Sequence, residues 1–254
     1  MGLLAADEPP PFHVERARGA SPYLLVCEHA GKRLPRKLGD LGLGAVDLER
    51  HIAWDIGAAA VARELSRRLD ATLITQTYSR LVIDCNRLPE APDAIPTISE
   101  ETEIPGNHGL SRDDIDARIR EIHRPYQACI SDYLDGYIDG REAPILIDIH
   151  SFTPIYKGAA RPWHIGLLYG EEQRRLADIL FGLIAEDGEI TVGDNQPYAV
   201  NFGVDYTIPV HGVGRGIVNL EIEIRQDLID TEAGQEEWAA RLAGWLSVAQ
   251  ARLP

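Results

Sequence analysis

Cysteine is scarce in this chain: Cys27, Cys85 and Cys129 are the only three in 254 residues. The number is odd, two of them sit in apolar strand-like runs, and no Cys-x-x-Cys pair occurs. A disulfide framework and a thiolate metal knot are therefore not expected, and a reducing, cytoplasmic setting fits best. Positive charge is in deficit as well, with 25 Lys and Arg against 40 Asp and Glu and a formal net charge of -15. Phosphate backbones need a basic surface, so nucleic acid is excluded as a general partner. An anionic small molecule is not excluded, because a few arginines in a concave site set the local field. Long apolar runs are also missing. None approaches the ~20 residues of a membrane-spanning helix, and Met1–Pro11 is acidic and proline-containing where an export signal would be basic and then apolar. The expectation is a soluble, unexported protein with no membrane partner.

What the chain does have is alternation. With 44% hydrophobic residues it can bury a full core, and one domain over 1–254 is the economical reading, residues 1–19 forming a peripheral extension. Strand-length apolar runs occur at Tyr23–Cys27, Thr72–Thr77, Leu81–Ile83, Pro144–Ile149, His164–Tyr169 and Ile217–Ile224. Helical spacing lies between them. Trp54, Ala58, Val61, Leu65 and Leu69 draw one apolar stripe on a helix beginning near Asp47. Ser111 followed by Asp114 is a variant capping box that starts a second helix running to about Tyr137, which Pro125 should kink or split. Glu171–Glu186 and Gln235–Arg252 supply two more. The pattern predicts a layered α/β fold with a mostly buried sheet. Two stretches, Leu88–Leu110 and Gly188–Gly216, fit neither period; loops of that length inside a domain are expected to border a binding site.

Chemistry-bearing residues gather at the ends of the predicted strands. Ser79–Arg87 places Arg80, Asn86 and Arg87 around a short apolar run. Guanidiniums pair bidentately with carboxylates and do not lose their proton, so this segment is a receptor for a carboxylate or an oxyanion. His29 follows one strand and His150 ends another, each near an acid able to orient it. Ligands of open α/β sheets bind at that edge, and two such imidazoles point to a metal such as zinc. A third donor is needed, and three are open: Asp55 first, on the predicted helix one turn after His51 and off the Trp54 stripe; Glu28 beside His29 second; and His51, which would share that helix face with Asp55, third. In the run Asn219–Arg225, Glu221, Glu223 and Arg225 share a face. One of these acids, Glu223 by preference, is placed to move a proton if that face lines the cleft. His211, near glycines in the second long stretch, reads as a turn residue.

Taken together, Glu28-His29-Ala30-Gly31, Trp54-Asp55-Ile56-Gly57, Ser79–Arg87, Asp148-Ile149-His150-Ser151, Asp194-Asn195-Gln196-Pro197-Tyr198 and Glu223-Ile224-Arg225 resemble the N-formylglutamate amidohydrolase family in order and spacing, over about residues 20–230. That family is distantly similar to zinc carboxypeptidases and aspartoacylases. The resemblance implies a three-layer α/β/α domain around a mixed, mostly parallel sheet and a single Zn2+ held by His29, His150 and a third ligand, Asp55 with Glu28 as the alternative. It implies Arg80, Asn86 and Arg87 as the substrate-anion clamp, with Arg80 or Arg87 facing the oxyanion, Glu223 as general base, and Asn195 and Tyr198 orienting substrate. The pattern departs at Lys32, where carboxypeptidases carry a glutamate three residues after the first histidine. The implied substrate is a small anionic N-acyl amino acid such as N-formyl-glutamate. Two other readings stand beside it: a deacylase or carboxypeptidase-like hydrolase of another amide, and a metal-free module binding an acidic metabolite.

Overall fold

The computed structural model describes residues 2–138 and 144–253. Seven strands form one sheet: β1 (Phe12–Glu15), β2 (Tyr23–Cys27), β3 (Thr72–Gln76), β4 (Ile145–Phe152), β5 (Ile165–Leu168), β6 (Val192–Asp194) and β7 (Val218–Arg225). Their spatial order is β1-β3-β2-β4-β7-β5-β6. The inner four, β3, β2, β4 and β7, are mutually parallel. β1 runs antiparallel to β3, and β5 antiparallel to β7. The helices are α1 (Ala58–Leu69), α2 (Arg112–Arg118), α3 (Arg124–Ile138), α4 (Arg175–Ala185) and α5 (Glu232–Arg252).

The side-chain period of two divides the core between the two faces of the sheet. Tyr23, Leu25 and Cys27 of β2 join Val61 and Leu65 of α1, Leu180 of α4 and Leu242 of α5 on one face. Leu24 and Val26 join Ile122, Tyr126, Ile130 and Leu134 on the other. Helices thus cover both faces, which is the three-layer α/β/α arrangement. No helix among the described residues is long and apolar enough to cross a membrane.

Three local readings need correction. Leu81–Ile83 is not a strand but a buried turn. Its backbone is satisfied by side chains: Asn107 Nδ2 donates to Leu81 O at 2.8 Å and Arg118 Nη1 to Val82 O at 2.8 Å. A three-residue apolar run can be buried without a partner strand when such donors are supplied. Next, the helix expected from Asp47 to Leu69 is interrupted. One turn, Ala45–Leu48, is followed by a non-helical segment up to Gly57, whose φ is +80° and whose added Cβ would lie 2.2 Å from Ile229 O. His51 and Asp55 therefore do not share a helix face. Last, the Ser111 capping box is present, but the break before α3 comes one turn upstream of Pro125. Residues Ile119–His123 open into a wide turn with Arg124 N–H donating to Ile119 O, which accommodates the proline's missing donor and ring.

Candidate active site

The cavity opens at the carboxyl edge of the parallel strands. Beyond β2 the chain is pressed onto the end of β3, where a Cβ on Gly31 would lie 2.0 Å from Thr77 O. That approach positions His29. Asp55, in the segment before α1, is tied to it through Asp55 N–H donating to His29 O at 2.9 Å. Its Oδ2 stands 2.9 Å from His150 Nδ1 and 3.5 Å from His29 Nδ1. It also accepts from Ser151 N–H at 3.1 Å. All three side chains are buried, and the two rings meet edge to face with centroids 4.7 Å apart.

The far nitrogen of each ring faces another buried acid. His29 Nε2 lies 2.8 Å from Asp84 Oδ1, and His150 Nε2 lies 2.9 Å from Asp148 Oδ1 and 3.4 Å from Glu28 Oε2. Carboxylates in that position fix the tautomer and orientation of an imidazole whose other nitrogen does the work. Burial alone would lower the His150 pKa; Asp148, Asp55 and Glu28 hold it well above the ordinary histidine value. Burial together with the neighbouring Glu28 raises Asp148, whereas Glu28 is brought down against its own burial by His150 and Asp148.

β7 pairs with β4 in a register that sets Glu221 beside Asp148 and Glu223 beside His150. Their apolar alternates, Leu220, Ile222 and Ile224, enter the core of the opposite face. Burial, with the charges of Asp55 and Glu221 adding and those of His150 and Arg80 opposing, raises the Glu223 pKa to about 8. Arg80 Nη2 donates to Asp84 Oδ2 at 2.7 Å, while Nη1 lies 3.1 Å from His29 Nδ1 and 3.5 Å from Asp55 Oδ1. Asn86 Oδ1 accepts from Thr207 N–H, leaving its Nδ2 donors without a partner among the described residues. Arg87 donates to Asp93 through Nε and to Asp205 through Nη1, at 2.9 and 2.8 Å.

Apart from Glu28, Asp148 and Thr207, these groups border one cavity of about 460 Å³. Both long irregular stretches contribute to it, the first with Asp93, Ser99 and Glu100, the second with Tyr198, Asn201 and Asp205. Several sequence candidates stand apart. Asn195 Oδ1 accepts from Tyr169 N–H, and Asn195 does not line the cavity. His51 lies at the rim, 3.5 Å from Glu100. Lys32 is exposed, paired with Glu49 and set over the Trp54 ring. His211 lies in the wide turn Thr207–Gly212, buried, with Nε2 2.8 Å from Gln127 Oε1. Sequence reasoning missed Asp84 and Thr207. Asp84 carried a signal in its position between Arg80 and Asn86; Thr207 carried none, since its Oγ1 reaches Glu28 only through the fold, at 2.6 Å.

The donor set fits a divalent cation. Two imidazole nitrogens and one carboxylate oxygen converge, the groups His29, Asp55 and His150 offering ligand atoms within 4.8 Å of one another. Glu28, Asp148 and His150 form a second such cluster on the other side of the His150 ring. The Arg80 guanidinium lies beside the first cluster, with Nη1 near both His29 Nδ1 and Asp55 Oδ1.

A layered α/β/α protein with a polar, histidine- and acid-lined cavity at the carboxyl edge of its sheet is the class that fold and cavity define. Residues 21–230 match the model of the N-formylglutamate amidohydrolase family, and the chain belongs to that family of amide hydrolases. Among solved structures it is similar to a gene product of Agrobacterium tumefaciens, with a TM-score of 0.94 and 41% identity over 98% of each chain. It is also similar to the N-formylglutamate amidohydrolase of Ralstonia eutropha, with a TM-score of 0.69 and 20% identity over 96% of this chain and 98% of that one. At that identity the second likeness speaks for the fold alone. No curated protein sequence matches the chain.

Proposed function

We propose that the protein is a metal-dependent amidohydrolase that removes the formyl group from an N-formylated acidic amino acid such as N-formyl-glutamate. The observation that carries this reading is the convergence of His29, His150 and Asp55 on one point of a cavity that also holds Glu223 and Arg80. A bound Zn2+ would supply a water acidified toward neutral pH and a Lewis acid for the acyl oxygen. His29, His150 and Asp55 would hold it, Asp84 and Asp148 keeping the rings oriented.

Glu223 takes the proton of the attacking water and returns it to the departing nitrogen. Its pKa of about 8 suits the return of the proton, while the charges of His150 and Arg80 favour the ionised form that accepts it. Arg80, whose Nη1 already reaches the histidine cluster, faces the oxyanion of the tetrahedral intermediate. The free amide donors of Asn86 and the remaining donors of Arg87 hold a substrate carboxylate. Water adds across the acyl carbon, the C–N bond breaks, and formate and the free amino acid leave.

The test is metal analysis of protein purified without chelator, combined with a panel of formyl-glutamate, formyl-aspartate, acetyl-glutamate and short peptides. Stoichiometric metal and preference for formyl-glutamate are expected. Cleavage of another amide in preference would move the reading to a different deacylase, and the absence of both metal and turnover would overturn it.

A further inference from the structure

Arg161 has no role in the machinery above, and its surroundings are unusual for a surface arginine. It follows the small hairpin made by Ile155–Tyr156 and Ala159–Ala160, with its N–H donating to Pro154 O at 2.8 Å. Its guanidinium carbon lies 4.5 Å from the ring centre of Tyr156, 4.7 Å from that of Tyr198 and 5.9 Å from that of Phe152. Nη1 donates to the Tyr198 hydroxyl at 2.9 Å. Those three rings belong to the wall of the cavity. Among the described residues, no carboxylate lies within ion-pair distance of Arg161, although the protein carries a net charge of -15.

The two inner guanidiniums are in the opposite condition. Arg80 is matched by Asp84 and Asp55, and Arg87 by Asp93 and Asp205. Glu221 and Glu223 add further carboxyl groups to the same cavity, and Glu100 there is already paired with Arg50. A ligand with two carboxylates can therefore be held only where donors remain unused, at Asn86 Nδ2 and the Nη2 edge of Arg87, and at a guanidinium that lacks a counter-ion. Rings beside a guanidinium leave its remaining edge donors free for a planar carboxylate.

We propose that Arg161, with the Tyr198 hydroxyl beside it, forms a subsite for the side-chain carboxylate of the substrate, remote from the amide that is cleaved. For the substrate proposed above, the α-carboxylate falls to Asn86 and Arg87 and the distal one to Arg161. This assignment rests on the amidohydrolase reading.

The test compares N-formyl-L-glutamate with the near-isosteric, neutral-side-chain N-formyl-L-glutamine in the wild type, Arg161→Gln and Arg161→Lys. It adds calorimetric binding of glutarate, a dicarboxylate that cannot be cleaved. For Arg161→Gln the KM for formyl-glutamate should rise about 10- to 100-fold with kcat changed less than about twofold, the size expected for a charge-assisted pair. The KM for formyl-glutamine should stay within about twofold, and glutarate affinity should fall in parallel with the formyl-glutamate effect. The lysine variant, which keeps the charge and the packing of the stem, should recover part of the loss and serves in place of the glutamine variant should that one fail to fold. Equal losses on both substrates, or no change in glutarate binding, would overturn the subsite. Wild-type protein that cleaves neither substrate would overturn the amidohydrolase reading, whereas glutarate binding that depends on Arg161 would survive that outcome.

Discussion

Glu223 lies directly opposite His150 in the parallel pairing of β7 with β4, and Glu221 opposite Asp148. Registered residues of neighbouring parallel strands present their side chains to the same face, so an acid and an imidazole that are 73 positions apart in the numbering (223 less 150) become lateral neighbours. Neither strand alone makes a site. The pairing does, and it sets a proton carrier beside a cluster of candidate ligands.

If Glu223 carries the proton, Glu223→Gln should lower kcat by about 10²- to 10⁴-fold, the usual weight of general acid–base catalysis. The substitution keeps the shape of the side chain, so metal content and melting temperature should be unchanged. Turnover at the wild-type rate in a folded, metal-loaded variant would remove the assignment.

Asp55 and Glu28 lie on opposite sides of His150, the first at Nδ1 and the second at Nε2. Asp55→Asn should abolish stoichiometric metal binding because a ligand is lost. Glu28→Gln should weaken it by about 10- to 100-fold, as expected for a group that acts on a ligand from behind. Elemental analysis after dialysis against a graded chelator series separates the two, and the reverse ranking would exchange their roles.

His211 supplies a pH-dependent contribution to stability. Burial, with a smaller effect of Arg215, lowers its pKa to about 4, and Glu28 and Asp135 oppose the shift only weakly. The unfolded chain, with histidine near its ordinary value of about 6.5, binds the proton first. Stability is therefore fully present above that value and is lost as pH falls through the window toward about 4. Between pH 7 and pH 5 the loss attributable to this ring is about 2 kcal/mol, an order-of-magnitude figure. Urea midpoints at pH 7, 6 and 5 should fall more steeply for the wild type than for His211→Gln, which keeps a donor for Gln127 without a titrating group. Parallel slopes would show that His211 contributes nothing to the acid sensitivity.

The inner strands were readable because β2 is a continuous apolar run, β4 and β7 keep apolar residues at alternate positions over most of their length and β3 carries the apolar pair Leu73 and Ile74. The helix opened by Ser111 was readable because its capping box is a local hydrogen-bond device. β1 and β6 were not. They are edge strands of four and three residues whose partners, not their own composition, make them strands. Leu81–Ile83 misled for the converse reason, since its apolarity reflects burial under Asn107 and Arg118 and not pairing. Asp55 was singled out for the wrong local reason, a helix face it does not occupy, yet the break at Gly57 is what turns it toward His150.

Composition and periodicity by themselves determined the layered α/β class, the acidic surface and the short list of imidazoles, acids and guanidiniums able to do chemistry, because those properties depend on residue type and on spacing along one segment. Which of the acids stands between the two histidines, and that Arg80 and Arg87 have counter-ions whereas Arg161 has none among the described residues, were decided only by tertiary structure. Such relations are distances between segments brought together from across the chain, set by strand register, by the close approaches at Gly31 and Gly57 and by the packing of three rings around Arg161.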